Sequence, residues 1–326
     1  MENLPERAAG NHFRESTRRH GSGGTIHMIE ISSTEPLDNA DRTLIADPYT
    51  AALRGTLAAI PYNSATAFHA HAGETATPPG MGAACILQTH DVARRAEAAG
   101  APPATFLQDE RHVAAVFHDD DGIVVLDPYI LHVEPIRFSA ASISAGFATT
   151  AVDAVPVRRD RNGELRPARL SATFKRSPGG YVIRLSYSKF SPTKDQYVLS
   201  RHFSLRSDSI FGLSAFTKDM SALLTDPEQT SVSIRAVLPE QGRTAEAILP
   251  LHGFAERDFT ESDVWLRDAQ GRMSSNHRGS EVWRDLEEAT GETPENITAY
   301  LLTAAMIYGQ IADRTRDVAE YSVVNE

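Results

Sequence analysis

Cysteine is all but missing from this chain: its 326 residues contain one, Cys85. An intrachain disulfide is therefore impossible, a Cys-based metal site is excluded, and a reducing cytoplasm is the expected setting. Long apolar runs are missing too. No stretch approaches the ~18 residues of a membrane-spanning helix, so no membrane is expected. Arg7, Arg14, Arg18 and Arg19 are not followed by the apolar segment of a secretory signal. A basic excess is also lacking, since Asp plus Glu outnumber Lys plus Arg by 43 to 32, a formal net charge of −11. Without a basic field there is little to neutralise phosphates, and nucleic acid is not an expected partner. There is no internal repeat and no heptad run. What remains is an ordinary globular mix, 41% hydrophobic and 23% charged. At a prior of about 150 residues per domain, the length points to about two domains.

Along the chain, helices, strands and helices follow one another. Residues 1–26, polar and Gly/Ser-rich around Gly21-Ser22-Gly23-Gly24, are expected to be disordered. Leu44, Ile45, Tyr49, Leu53 and Leu57 recur at three- and four-residue steps and predict a helix over 41–59, with Asp47-Pro48 a candidate break. A loop dense in Pro and Gly then leads to a second helix over 83–99, striped by Ile86, Leu87, Val92, Ala93 and Ala96 and stopped by Gly100. Strands are predicted over 104–108, 112–117, 122–127 and 131–138. From there to about Leu251 short strands alternate with turn signals at Arg161-Asn162-Gly163, Ser177-Pro178-Gly179-Gly180 and Glu240-Gln241-Gly242. Two helices close the chain, one over 280–289 and one opening at Thr293-Pro294. This segregation predicts an α+β fold rather than alternating α/β. Its regions are a helical domain over 27–103, a β-rich domain over 104–255 and a C-terminal helical region over 256–326.

The chemistry gathers around Cys85. The thiol falls in the first turn of its helix, where free N–H groups and the positive end of the helix dipole favour a thiolate and are suited to holding an oxyanion. His112 and Asp127 lie on the two strands flanking His118-Asp119-Asp120-Asp121, which reads as a turn. If Phe117 pairs with Gly122, His112 stands opposite Asp127 on one sheet face, with Cβ atoms about 4.5–5.5 Å apart. A His oriented by an Asp is the base needed to activate a thiol. The bland alternative is a strand cap and a turn start around a small buried Cys. Cys at a helix start followed by His and Asp on strands follows papain-like logic in rearranged chain order.

Here the sequence resembles the arylamine N-acetyltransferases. Ile60-Pro61-Tyr62-Asn63 is similar to that family's helix-end motif, and Cys85, His112 and Asp127 match its Cys-His-Asp triad, the last two fifteen residues apart. The resemblance spans roughly residues 42–135. The family's Arg-Gly-Gly-x-Cys is here Met81-Gly82-Ala83-Ala84-Cys85, and Leu126-Asp127-Pro128-Tyr129 looks more like the transglutaminase-like branch. What the resemblance implies is a papain-like core with N-terminal helices, a central antiparallel β-barrel or sheet, and C-terminal helices. It also implies a cysteine acyltransferase with no permanently bound cofactor. The acyl donor would be a CoA or carrier-protein thioester, with a carrier protein among the expected partners, and the acceptor an amine or carbon nucleophile. Relatives in natural-product pathways release a chain as an intramolecular amide or by Dieckmann-type closure. Thioester or amide hydrolysis, a transglutaminase-like reaction and a non-catalytic binding protein on the same fold are the alternatives.

Other clusters carry less. His69-Ala70-His71 with Glu74 lacks a third metal ligand at a helical offset, so no metal is expected, and either His is a candidate for the cleft beside Cys85. Asp119 to Asp121 lack calcium-loop spacing and read as a solvated turn. Arg158, Arg159, Arg161, Arg166 and Arg169 surround one hairpin turn, either as a solvated loop or as a contact for phosphates or an acidic carrier. Tyr300, Met306 and Tyr308 on the final helix are expected in the core. Tyr62 or Asn63 is a candidate second oxyanion donor.

Overall fold

The computed structural model describes residues 47–73, 77–212, 229–315 and 317–321, all within one compact unit that begins at Ile45. The expected disorder over 1–26, the start of the first predicted helix at 41–46, and Glu74 lie outside the described residues.

Helix α1 (Pro48–Ala59) opens where Asp47 caps it. The carboxylate accepts the Thr50 N–H at 3.2 Å, and Pro48 takes a first-turn position that needs no donor. Asp47-Pro48 therefore marks the start of α1. Strand β1 (Tyr62–Asn63) and α2 (Thr66–His71) follow, then α3 (Cys85–Ala98). Strands β2 (Thr105–Asp109), β3 (His112–Asp119), β4 (Gly122–Leu126) and β5 (Ile136–Ser139) make one meander. Helix α4 (Ala140–Ala145) leads to a second, of β6 (Phe147–Arg159), β7 (Leu165–Ser177), β8 (Gly180–Ser191) and β9 (Gln196–Arg206). Its first two turns are the hairpins expected from Arg161-Asn162-Gly163 and Pro178-Gly179. Then come β10 (Ser231–Leu238), β11 (Arg243–Pro250), β12 (Trp265–Arg267), β13 (Met273–Ser275), α5 (Glu281–Thr290) and α6 (Pro294–Ile311). Ser280 and Thr293 cap the last two helices with their hydroxyls.

The fold is α+β, with six helices among the described residues and three antiparallel sheets. None of the sheets is a closed barrel. Their orders, β1-β10-β11-β12-β13, β2-β3-β4-β5 and β6-β7-β8-β9, are linear, and the first and last strands of each do not pair. Two apolar cores support them. In one, α1 and α3 pack on the β2–β5 sheet, and the same core continues into the β6–β9 sheet. Leu53 and Leu57 are fully buried there, each contributing about 1.5–3 kcal/mol of transfer free energy. In the other, α2, α5 and α6 cover the five-stranded sheet through Phe68, Trp283, Leu286, Leu301 and Tyr308. Met306 departs from the expected core position: it is 60% exposed, because the buried face of α6 runs through Leu301, Ala304, Ala305 and Tyr308 instead. No helix among the described residues is long and apolar enough to cross a membrane.

Candidate active site

Cys85 is the first residue of α3, and the loop before it is tied to β1. The Asn63 N–H donates to Ala83 O at 2.8 Å and the Ala83 N–H to Pro61 O at 2.9 Å. Gly82 lies inside this contact with φ at +80°, and a Cβ there would sit 1.9 Å from Pro61 O. Only glycine fits that conformation and that spacing. The side chain of Asn63 is buried and committed to the same loop, donating from Nδ2 to Met81 O at 2.9 Å and accepting the Ala65 N–H on Oδ1. Asn63, fully buried, is not among the residues that line the cavity onto which Cys85 opens. Ala84, at the helix N-cap, offers no side-chain cap, so no side chain takes up the first-turn amides.

The buried face of α3 is Gln88, Thr89, Val92, Ala93 and Ala96, whereas Leu87, expected in the stripe, is 44% exposed. Two polar residues on that face hold the helix in place. Gln88 donates to Ile60 O at 2.7 Å, and Thr89 Oγ1 lies 3.1 Å from Cys85 O and 3.0 Å from Val113 O. Thr89 thereby ties the turn bearing the thiol to the strand bearing His112.

His112 and Asp127 meet, although not in the expected register. Phe117 pairs with Val124, not Gly122, and the strands continue to Asp119↔Gly122 around a two-residue turn. Asp119 explains the longer pairing, since its Oδ1 accepts the Asp121 and Gly122 N–H groups and its Oδ2 the Tyr49 hydroxyl. The register differs by two residues, which preserves the sheet face; a one-residue slip would have inverted it. Asp127 follows the end of β4, and Pro128 opens a short 3-10 turn after it. The result is a bond of 2.6 Å between His112 Nε2 and Asp127 Oδ2, with the residues 5% and 0% exposed.

With Nε2 committed to Asp127, Nδ1 is the nitrogen left over, and Cys85 is near enough to the ring to act on its charge. Burial by itself would lower the His112 pKa. The Asp127 charge and hydrogen bond, followed by those of Cys85, outweigh it and raise the value to about 10. The ring is clamped by aromatic neighbours, stacked on Phe203 with centroids 3.7 Å apart and 5.4 Å from Tyr129.

Behind Asp127 stands a residue that sequence reasoning missed. The Asp127 N–H donates to His132 Nε2 at 2.9 Å, and His132 Nδ1 bonds Glu134 O at 2.6 Å. These partners require the neutral Nδ1–H tautomer. Burial agrees, holding the His132 pKa below its ordinary value.

Cys85, His112 and Tyr62 open onto one cavity of about 700 Å³. No family model, curated protein or solved structure matches the chain. The cavity must therefore be read from its own walls. The β6–β9 sheet contributes Tyr187, Lys189, Arg201 and Phe203, and the five-stranded sheet contributes Arg235, Glu246 and Arg267. Burial, then Tyr129 and Cys85, hold the Tyr62 phenol well above its ordinary pKa, so it is neutral. The available sequence signal for the second wall was an arginine and a glutamate in the middle of strands made mostly of apolar residues.

The remaining candidates fall elsewhere. His69 and His71 are on helix α2, and neither is among the cavity-lining residues. His69 stacks on Tyr300 with centroids 3.8 Å apart. No group of three or more His, Cys, Asp or Glu able to hold a metal ion occurs among the described residues. The five hairpin arginines have protein partners. Arg158 is 1% exposed and donates to Phe190 O at 2.8 Å. Arg159 bonds Gly163 O, Arg166 pairs with Asp160, Arg161 approaches Asp195, and Arg169 lies over the Tyr197 ring.

Proposed function

We propose that this protein is a cysteine-dependent acyltransferase that takes an acyl group from a thioester, on CoA or a carrier protein, onto Cys85. The observation that carries the reading is the His112–Asp127 hydrogen bond at the wall of one cavity onto which both Cys85 and His112 open. A papain-like core of helix-borne Cys and sheet-borne His and Asp, in the chain order of the arylamine N-acetyltransferases, belongs to this proposal. Asp127 fixes the ring and stabilises its charged form, and His112 holds the proton taken from the thiol.

In the first half-reaction Sγ attacks the thioester carbonyl carbon and a new C–S bond forms. The bond to the departing thiol breaks, and His112 returns its proton to that sulfur. In the second, an amine or carbon nucleophile attacks the acyl-enzyme, gives its proton to His112 and displaces Sγ. The Cys85 N–H, in a first turn without a side-chain cap, is suited to stabilising the oxyanion of each tetrahedral intermediate.

Intact-mass analysis after incubation with acyl thioesters tests the proposal. One acyl increment on the wild-type protein is expected, with none on Cys85→Ala. Asp127→Asn is expected to slow adduct formation roughly 10²- to 10⁴-fold, by analogy with other catalytic triads. Thioester consumption undiminished in Cys85→Ala would overturn the reading. Free acid as the sole product, with any amine or enol acceptor supplied, would convert it to hydrolysis.

A further inference from the structure

One row of side chains crosses the five-stranded sheet on the face that lines the cavity. Register pairs Tyr62 with Arg235, Arg235 with Glu246, and Glu246 with Arg267, and all four residues line the cavity. Directly opposed residues share a face, so two cations flank one carboxylate. That carboxylate is already engaged. Its Oε1 accepts the Ser233 hydroxyl at 3.0 Å and its Oε2 accepts Arg267 Nη1 at 2.9 Å.

Arg235 is the cation left over. Among the described residues it forms no ion pair, and Nη2, donating to Tyr129 O at 2.9 Å, is its only nitrogen bonded by the protein. Its buried Nε–H has no acceptor. The guanidinium is held against the Tyr62 ring at 5.1 Å and the Tyr129 ring at 5.3 Å, so its plane is set before anything binds. A buried donor without a partner costs roughly 1–3 kcal/mol. A pre-oriented guanidinium with unused donors is the usual recognition element for a carboxylate. The other acids of the cavity do not fill this role: Asp109 accepts the Ser204 N–H at 2.7 Å, and neither Glu110 nor Glu320 is paired with Arg235.

Position narrows the ligand. Tyr62 pairs with Arg235 on one side and bridges to Ala83, just ahead of Cys85, on the other. With strands about 4.8 Å apart, the Arg235 backbone lies about two strand spacings, ~10 Å, from the segment that opens on the thiol. A separation of that order, shortened by the length of an arginine side chain, is one that a chain of a few carbons crosses. The phosphates of a CoA donor lie at the far end of a long pantetheine arm and do not fit so short a span.

We infer that Arg235 binds a carboxylate on the acyl group itself, so that the donor is the thioester of a short dicarboxylic acid. This rests on the acyl-transfer reading, and its test separates the two. Succinyl and uncharged succinamoyl thioesters of N-acetylcysteamine, which carry no phosphate, are compared by the rate of Cys85 adduct formation. The succinyl donor is expected to react at least about tenfold faster, the factor worth 1.4 kcal/mol. Arg235→Met is expected to bring the two rates together, with Arg235→Lys intermediate. A second measurement needs no variant. Free succinate, but not succinamide, is expected to slow alkylation of wild-type Cys85 by uncharged iodoacetamide. Adducts formed equally fast from both donors would overturn the inference and leave acyl transfer standing. Protection by succinate with no adduct from any thioester would leave the carboxylate site standing and remove acyl transfer. Absence of both discrimination and protection would overturn the carboxylate site outright.

Discussion

The imidazole of His112 lies nearly parallel to the ring of Phe203, with centroids 3.7 Å apart and planes 18° from each other. The contact joins β3 to β9, strands of different sheets. Asp127 sets one ring nitrogen and Phe203 sets the plane, which leaves the other nitrogen without a claim from either. The site is thus assembled by packing between sheets as much as by the β3–β4 hairpin.

The His112–Asp127 pair makes stability depend on pH with a defined sign. The folded-state pKa of about 10 lies above the ordinary 6.5, so the folded protein holds this proton more tightly than the unfolded chain. The stabilisation is fully present below about 6.5 and is lost as pH rises through about 10. Chemical denaturation of wild type and His112→Gln across that window is expected to show the stability gap between them shrinking as pH increases. A gap that is constant or widens would contradict the assignment.

His132 is a positioning residue, acting on the site through Asp127. His132→Ala leaves the buried Asp127 N–H without its acceptor and is expected to cost roughly 1–3 kcal/mol in urea denaturation. It is also expected to change the pH profile of Cys85 alkylation, which a purely structural role would not move. His132→Gln retains one acceptor and one donor group and should restore much of both. An unchanged alkylation profile in His132→Ala would remove His132 from the site.

The loop glycine before the thiol offers a matched comparison. Gly82 and Gly163 have nearly equal φ, +80° and +83°, yet a Cβ would strike Pro61 O at the first and meet nothing within 4 Å at the second. Alanine at either position meets the left-handed backbone penalty, but only Gly82→Ala also forces β1 away from the Cys85 loop. Gly82→Ala is expected to be more than about 1 kcal/mol less stable than Gly163→Ala and slower in Cys85 alkylation. Equal stabilities and rates would show that the close approach is unimportant.

Helix starts, hairpin turns and the helix–strand–helix order were legible because each is written locally, in caps such as Ser280 and Thr293 and in turns such as Pro178-Gly179. The meeting of His112 and Asp127 was legible despite the wrong register, since a two-residue offset leaves both residues on the same sheet face. Barrel closure was not legible. It depends on whether first and last strands pair, and no local pattern in β6 to β9 specifies that. Arg235 was missed for a related reason. Alternation assigns its sheet face, but its neighbour Tyr62 lies far upstream in the chain, and that pairing is set by tertiary packing. His132 was hidden for a different reason: it is close to Asp127 in the chain, but only the turn after Pro128 brings its ring to the Asp127 amide.

The β1–β10 pairing also bears on synthesis. A ribosome releases the thiol and its imidazole well before the strand that carries Arg235, so for that interval the nascent chain holds a sulfur whose pocket has no far wall. On the proposed reading, selection of the acyl donor by that wall begins only when β10 docks beside Tyr62. Maturation of the cavity is thereby tied to the later half of translation.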